Sequence, residues 1–373
     1  MHFILVRYTL LWFLMMAAIR CTFGQQVPSS PFEVGAQMDY GFIHEHTRKI
    51  AHLVTHYPRA LTIYANKLHT GESAWEERLG YPKTGLALTY FDYGNKLLGE
   101  TWAVTTNIFL PLVKRGKNYE VEMKMGTGIA YATHPFDIDD NFRNTLLSNH
   151  WLFAIQAGLH FNYKLWERIY LKSALSLTHY SSAAFKQPNY GVNMVTAGIG
   201  AAYLFRAEEK VYRKTELPPF SKRIGVEFSV SGSLIETEVN QPEKHQVWGF
   251  SIYGTKRLSR GSRVNAGLDL SLNEGVRYQI QRKILADSTF EEVDYKRVGL
   301  VIGHELTVGR LSLLTQLGYY VHRQFEAIAE QPLFQRYGLR YYPSGRLFTG
   351  LYLKSHGFTA ECAELTIGYR WER

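Results

Sequence analysis

A membrane-spanning antiparallel β-barrel of the outer-membrane type, with about 16 strands, is the all-β fold that three observations predict. The first is period-two alternation. Tyr119, Val121, Met123, Met125, Ile129 and Tyr131 fall on one face of an extended segment, and Glu120, Glu122, Lys124, Gly126, Gly128 and Ala130 on the other. The second is composition: 14% of the residues are aromatic, with 25 Tyr, and there are 31 Gly. Beyond the first two dozen residues no apolar run is long enough for a transmembrane helix. The third is the beginning of the chain, which reads as an export signal.

That beginning, MHFILVRYTLLWFLMMAAIRCTFG, has a basic Arg7 followed by an apolar run from Tyr8 to Ile19. The run is too short to span a bilayer, so residues 1–24 are expected to be a cleaved signal peptide. Cys21 invites a lipoprotein reading, but Arg20 stands before it where a small residue is needed. Removing Arg7 and Arg20, and no acid, lowers the formal net charge of +9 by two. Of the two cysteines only Cys362 then remains, so disulfides cannot supply the stability. The basic balance would suit nucleic acid, but export turns the expectation to the phosphates of lipopolysaccharide.

Expected strands run over 33–43, 60–70, 84–93, 98–112, 118–132, 150–164, 168–180 and 192–206. After a charged stretch at 207–222 they resume at 223–235, 245–257, 261–273, 296–308, 310–322, 333–343, 345–355 and 360–371. About 12 or 14 strands are the alternatives to 16. The last segment repeats the alternation, with Leu365, Ile367, Tyr369 and Trp371 against Glu364, Thr366, Gly368 and Arg370. A soluble sandwich also alternates; the signal peptide, the segment count and the aromatic final strand favour the membrane. The expectation is a single barrel over 25–373, with 207–222 as a long connection. Strand counting from a periplasmic start makes the odd strands run outward, so the seventh ends at the outer face. The short 114–117 and 165–168 turns come out periplasmic and the long 137–149 loop external.

One stretch carries chemistry: THYSSAAFKQPNYGVN, residues 178–193. By parity His179 and Ser181 share a face with Leu171, Leu175 and Leu177, and Asn193 shares one with Val195, Ile199, Tyr203 and Phe205. All three therefore point outward near the outer rim. Polar groups on a lipid-facing wall are costly and ask for a purpose. A Ser two residues from a His is within reach of it, and the substrate that meets such a site is the acyl ester of an outer-leaflet lipid. Asn193 also suits a plain turn cap, and His179 alone a rim residue.

HYSSAAFKQPNYGVN resembles the motif H-x-S-N-A/G…K-Q-P-N-x-G-x-E of outer-membrane lipid A 3-O-deacylases (PagL type) and of the Bacteroidetes acyloxyacyl hydrolases. The resemblance runs more weakly through 33–206, as in DYGFIHEH and GIAYATHPFD, so that 25–206 is the deacylase-like half and 207–373 adds barrel strands. It implies His179 as general base, Ser181 as nucleophile and Asn193 as the group that orients His179. Lys186, Gln187, Pro188, Asn189 and Gly191 match the connecting loop. Two positions depart: Ser182 stands where the pattern has Asn, and Asn193 where it has Glu. Asn193 can orient the imidazole through its amide oxygen but brings no charge. Ser182, or N–H groups of the loop, would hold the oxyanion. The implied function is hydrolysis of an ester-linked acyl chain of lipid A, with no metal or organic cofactor.

Other polar clusters have plainer readings. His44, Glu45 and His46 at the end of the first strand fit a solvated loop better than a zinc clamp. Asp137, Asp139 and Asp140 fit a solvated acidic loop better than a site for cations bridging lipopolysaccharide. Lys186 suits either a lipid A phosphate or the headgroup level generally. Two function classes stay open at this point: a lipid A esterase, and a non-catalytic barrel that serves envelope structure or passes small solutes.

Overall fold

In the computed structural model, residues 30–113, 118–206, 212–214, 222–239, 243–327, 331–357 and 359–373 are described. The expected signal peptide and most of the 207–222 connection lie outside them. Sixteen strands form, all antiparallel to their neighbours, each within two residues of its expected bounds. They are β1 (Phe32–Ile43), β2 (Arg59–Leu68), β3 (Lys83–Asp92), β4 (Glu100–Pro111), β5 (Tyr119–Ala132), β6 (Trp151–Lys164), β7 (Ile169–Ser181) and β8 (Val192–Phe205). There follow β9 (Ile224–Ile235), β10 (His245–Ser259), β11 (Ser262–Asn273), β12 (Lys296–Val308), β13 (Leu311–His322), β14 (Leu333–Tyr341), β15 (Leu347–His356) and β16 (Thr359–Glu372). Among the described residues two α-helices lie in connections, α1 (Ala74–Arg78) between β2 and β3 and α2 (Glu274–Ala286) between β11 and β12, and a 3-10 turn (Arg48–Leu53) follows β1. The alternation pattern gives no sign of α2, which Asn273 caps by accepting from the N–H groups of Gly275 and Val276.

The strands do not close as one barrel over 25–373. They close as two, β1–β8 and β9–β16. β8 returns to β1 in a register running from Phe32↔Phe205 to Ile43↔Met194, and β16 returns to β9 from Leu365↔Gly232 to Glu372↔Gly225. The physical reason is in the lumens. An eight-stranded barrel has an interior just wide enough for side chains to fill, and both halves supply such a filling. In the first barrel Lys83 pairs with Glu33, Glu120 and Glu122 at 3.4, 2.8 and 3.2 Å, and Lys172 reaches Glu33 at 2.6 Å. In the second, Arg340 and Arg370 each lie 2.7 Å from Glu227 and also pair with Glu305. Arg336 lies 3.0 Å from Asp269 and 2.7 Å from Glu364. Buried charge of this kind persists only when paired and hydrogen-bonded. A sixteen-stranded lumen would be too wide for these partners to meet.

The outer walls are the reverse. Met38, Ile63, Leu86, Val104, Ile129, Leu175 and Ile199 are exposed around the first barrel, and Phe228, Ile252, Leu268, Leu300, Ile302 and Ile367 around the second. Aromatic side chains mark the rims of the first barrel: Tyr40, Trp102, Tyr131 and Trp151 at one end, Tyr119, Phe161, Tyr163 and Tyr203 at the other. An apolar band between aromatic girdles is the surface a bilayer solvates. No helix among the described residues is long and apolar enough to cross a membrane.

The barrels stand side by side and touch at both rims. At one rim the β7–β8 loop meets the β9–β10 loop, through the Glu236 N–H donating to the Ala184 carbonyl at 3.1 Å and the Gln187 N–H donating to Glu236 Oε2 at 2.7 Å. Ala184 is buried there with Ile235, Val247 and Cys362. At the opposite rim the Arg78 guanidinium of α1 donates to the Thr307 carbonyl at 2.5 Å. Gly261 makes this approach feasible, since a Cβ there would fall 2.1 Å from the guanidinium carbon of Arg78. Contacts at both ends hold the two barrel axes in the same sense.

Candidate active site

β7 and β8 bring the predicted residues together. Along β7, Leu171, Leu175 and Leu177 are exposed while Tyr170, Lys172, Ala174, Thr178 and Tyr180 are buried, so the alternation points His179 outward. Its register partner across the ladder is Asn193. Directly opposite side chains on one face of an antiparallel pair are neighbours, and Asn193 Oδ1 lies 2.7 Å from His179 Nδ1. An amide oxygen can only accept, so it fixes the Nδ1–H tautomer and leaves Nε2 free to take a proton. The amide itself is oriented by its other end, where Asn193 Nδ2 donates to His46 Nδ1 at 3.2 Å. His46 thereby becomes the third member of a His46–Asn193–His179 chain. Its sequence context suits a solvated loop, and no local signal links residues so far apart.

Ser181 ends β7, on the same face as His179, opposite Phe153 of β6. No hydrogen bond joins its hydroxyl to His179. Instead Ser181 Oγ accepts from the Ala183 N–H at 2.9 Å and from Asn189 Nδ2 at 3.0 Å. The two side chains nevertheless flank one spot. A Cβ added to Gly191 would lie 2.7 Å from His179 Cε1 and 3.3 Å from Ser181 Cβ. Gly191 also has φ +68°, so both its backbone and the lack of a side chain are required. The turn after Ser181 is strained: Ala183 and Ala184 have φ of 52° and 64°, each costing about 1–3 kcal/mol for a non-glycine residue. This left-handed turn is what aims the Ala183 N–H back at Ser181 Oγ.

The remaining loop residues hold the turn. Asn189 Oδ1 accepts from the Ser182 N–H at 3.0 Å, so Asn189 ties both serines. Ser182 Oγ is bound within the loop, donating to the Lys186 carbonyl at 3.1 Å and accepting from Ser148 Oγ at 2.8 Å. It does not point at Ser181. The donors that do are the Ala183 N–H and Asn189 Nδ2. Tyr190 and Gly191 donate their N–H groups to the carbonyls of Thr145 and Leu146, both at 3.1 Å, so the long β5–β6 loop braces the site. Gln187 reaches the second barrel through its N–H to Glu236, and Lys244 Nζ in turn lies 2.8 Å from Glu236 Oε1 and also donates to the Phe185 carbonyl. Ser148, Glu236 and Lys244 were not singled out in the sequence, because each acts on the site from a different loop.

The acidic cluster stays apart from this chemistry. Asp137 Oδ1 accepts from the N–H groups of Asp139 and Asp140, at 2.9 and 3.1 Å, and these hydrogen bonds hold its carboxyl below the usual carboxylate range. It closes a turn. Among the described residues no group of three His, Cys, Asp or Glu side chains converges as a metal site.

Two family models match, one on each barrel. The model of lipid A 3-O-deacylase (PagL) matches residues 63–203, and that of the acyloxyacyl hydrolase C-terminal domain matches residues 224–373. No curated protein sequence matches. Among solved structures the chain is similar to the outer-membrane enzyme PagL, at 13% identity with a TM-score of 0.32, over 44% of this chain and 97% of that one. It is also similar to Neisserial surface protein A, at 9% identity and TM-score 0.33, over 47% and 97%. A Rh. blastica porin variant aligns at 8% identity and TM-score 0.17, over 91% and 99%. The two models divide at the connection between the barrels, and together they take in the His179–Asn193 pair and nearly every strand. By these matches the first barrel is similar to the lipid A 3-O-deacylase (PagL) family over residues 63–203, and the second to the acyloxyacyl hydrolase C-terminal domain over residues 224–373.

Proposed function

We propose that the protein is a serine esterase of the bacterial outer membrane that hydrolyses an ester-linked acyl chain of lipid A. The observation that carries this reading is the 2.7 Å bond from His179 Nδ1 to Asn193 Oδ1, on the face that also presents Ser181. It leaves Nε2 as a base beside a serine whose surroundings are rich in donors. The rim bearing the site is the outer one, where lipopolysaccharide lies.

In the reaction Ser181 turns about its χ1 toward His179 as substrate enters. Apo sites commonly tighten their catalytic hydrogen bonds only with substrate in place. The hydroxyl proton passes to His179 Nε2 and Oγ attacks the acyl carbonyl. The Ala183 N–H and Asn189 Nδ2, released from Ser181 Oγ, receive the oxyanion; such donors are worth about 10²–10³ in rate. Collapse expels the lipid alcohol, protonated by His179, and leaves an acyl-enzyme. Water, deprotonated by His179, then releases the fatty acid and restores Ser181. Asn193 holds the imidazole throughout, and no step needs a metal or organic cofactor.

Solute passage is disfavoured by lumens filled with ion pairs in both barrels. The test is expression of the full chain in a Gram-negative host, with mass spectra of lipid A compared between wild type and Ser181→Ala. A hydroxyacyl mass lost with the wild type and kept with the variant supports the esterase. Identical spectra, with both proteins folded in the outer membrane, would rule it out.

A further inference from the structure

Between the two rim contacts the walls of the barrels stand apart and flank an open, mostly apolar cleft of about 780 Å³. That is within the range of small-molecule sites, about 300–1,000 Å³. Phe153 of the first barrel lines one side and Leu234, Trp248 and Leu365 of the second barrel line the other. Its upper end is the site loop itself, at Ser182, Ala183 and Phe185. Phe153 is the register partner of Ser181, so the cleft begins one strand away from the candidate nucleophile.

Gly232 is the informative residue in this cleft. It occupies an outward position of β9, between Val230 and Leu234, where a bilayer-facing wall ordinarily carries a large apolar side chain. Trp248 and Leu365 flank it in direct register on the neighbouring strands. Its backbone does not require glycine, since its φ lies outside the left-handed region. Nor does steric crowding require it, since an added Cβ would find its nearest neighbour, the Trp248 ring, at 3.4 Å. The bare position lets the Trp248 ring lie over it, and the two together form part of the wall that faces the cleft.

From this we infer that the cleft between the barrels binds the acyl chain of the ester to be cut, and that the second barrel supplies half of that binding site. This rests on the esterase reading above. The geometry suits it. An ester at headgroup level meets Ser181 at the rim, and its hydrocarbon chain descends along the strand direction between Phe153 and the wall formed by Gly232 and Trp248. The occupant is a single lipid chain rather than a protein, because the lining is mostly apolar, with Asn149, Ser182, Ser231, Ser233 and Gln246 as its polar members. Chain-length preference is therefore a property of the second barrel.

Two measurements on the full-length protein in lipopolysaccharide-containing proteoliposomes test this. The first compares kcat/KM for esters of short, medium and long acyl chains between wild type and Gly232→Phe. The variant should lose about tenfold on long chains, the worth of burying roughly two methylenes, and keep its rate on short ones. The second uses a phospholipid with a photoactivatable diazirine at the end of its acyl chain, with cross-links mapped by mass spectrometry. Labelling should concentrate on Trp248 and Leu365 over the open wall at Leu86, and Gly232→Phe should remove that excess. Equal labelling of both walls, or an unchanged chain-length profile in folded Gly232→Phe, overturns the inference. Wild-type protein that cleaves no ester while still concentrating the label at the cleft overturns the esterase reading alone.

Discussion

Asn193 is the most informative residue to change. It accepts the Nδ1–H of His179 at 2.7 Å and donates to His46 Nδ1 at 3.2 Å, so it fixes both the tautomer and the ring plane of the candidate base. A neutral hydrogen bond of this kind contributes about 0.5–1.5 kcal/mol, and one to a charged group about 1.5–3 kcal/mol. Asn193→Asp keeps the shape and the acceptor and adds charge beside an imidazole that becomes cationic in the transition state. His46 lies in an exposed loop and can change tautomer to donate to the new carboxylate. The gain is about 1–1.5 kcal/mol, or roughly tenfold in kcat/KM. Asn193→Ala removes the acceptor, lets the imidazole divide between tautomers, and should cost about tenfold to a hundredfold. The assay is ester hydrolysis by purified protein in detergent, with folding checked by the heat-dependent shift in gel mobility shown by intact barrels. The order Asp above Asn above Ala is the expected outcome. An Ala variant with wild-type turnover would show that His179 does not act through Asn193, and would refute the base assignment.

Three further outcomes follow from contacts described above. Gly191→Ala places a methyl 2.7 Å from His179 Cε1 at a φ of +68°, so hydrolysis should fall at least tenfold while the barrel still folds; unchanged turnover would mean the loop can move off the His. Glu236→Ala removes the carboxylate that accepts the Gln187 N–H and pairs with Lys244, and should lower kcat about tenfold with little change in KM, with Glu236→Gln recovering part of the loss; a change confined to KM would contradict a role in positioning the loop. Lys83→Met removes the buried cation 2.8 Å from Glu120 and 3.2 Å from Glu122 and should destabilise the first barrel by about 3–5 kcal/mol, seen as a lower temperature for the gel-mobility shift; an unshifted transition would mean the lumen admits water or other counterions.

The strands were legible because each one separates two solvents, and that separation is written residue by residue. Tyr119 to Tyr131 shows it as plainly in the sequence as in the burial of Glu120 and Glu122. Closure was not legible in the same way. Alternation tells which side chains point inward, but not whether β8 returns to β1 or continues to β9. The signal that bears on closure is the bulk of the inward residues: Lys83 with three carboxylates, and Arg336, Arg340 and Arg370 with theirs, are too large and too well paired for a wide lumen. Within the site, His179 and Asn193 were readable because parity and a short loop bring them together. His46, Ser148 and Glu236 were not, since their places depend on how separate loops fold over the rim. Ser182 shows the limit of position-by-position transfer: it occupies the motif's Asn position, yet its hydroxyl is spent on Lys186 and Ser148, and Asn189 faces Ser181 instead.

The Glu236 clamp also bears on the order in which this protein becomes competent. The first barrel closes on itself, so it can reach the bilayer and complete its hydrogen bonding before β9 has paired with anything. At that stage the Gln187 N–H and the Ala184 carbonyl lack the partners that Glu236 later provides. The turn after Ser181, with its two left-handed alanines, is then held from one side only. Bracing from both sides arrives when the second barrel docks, so closure of the first barrel and completion of its rim are separate events along one chain.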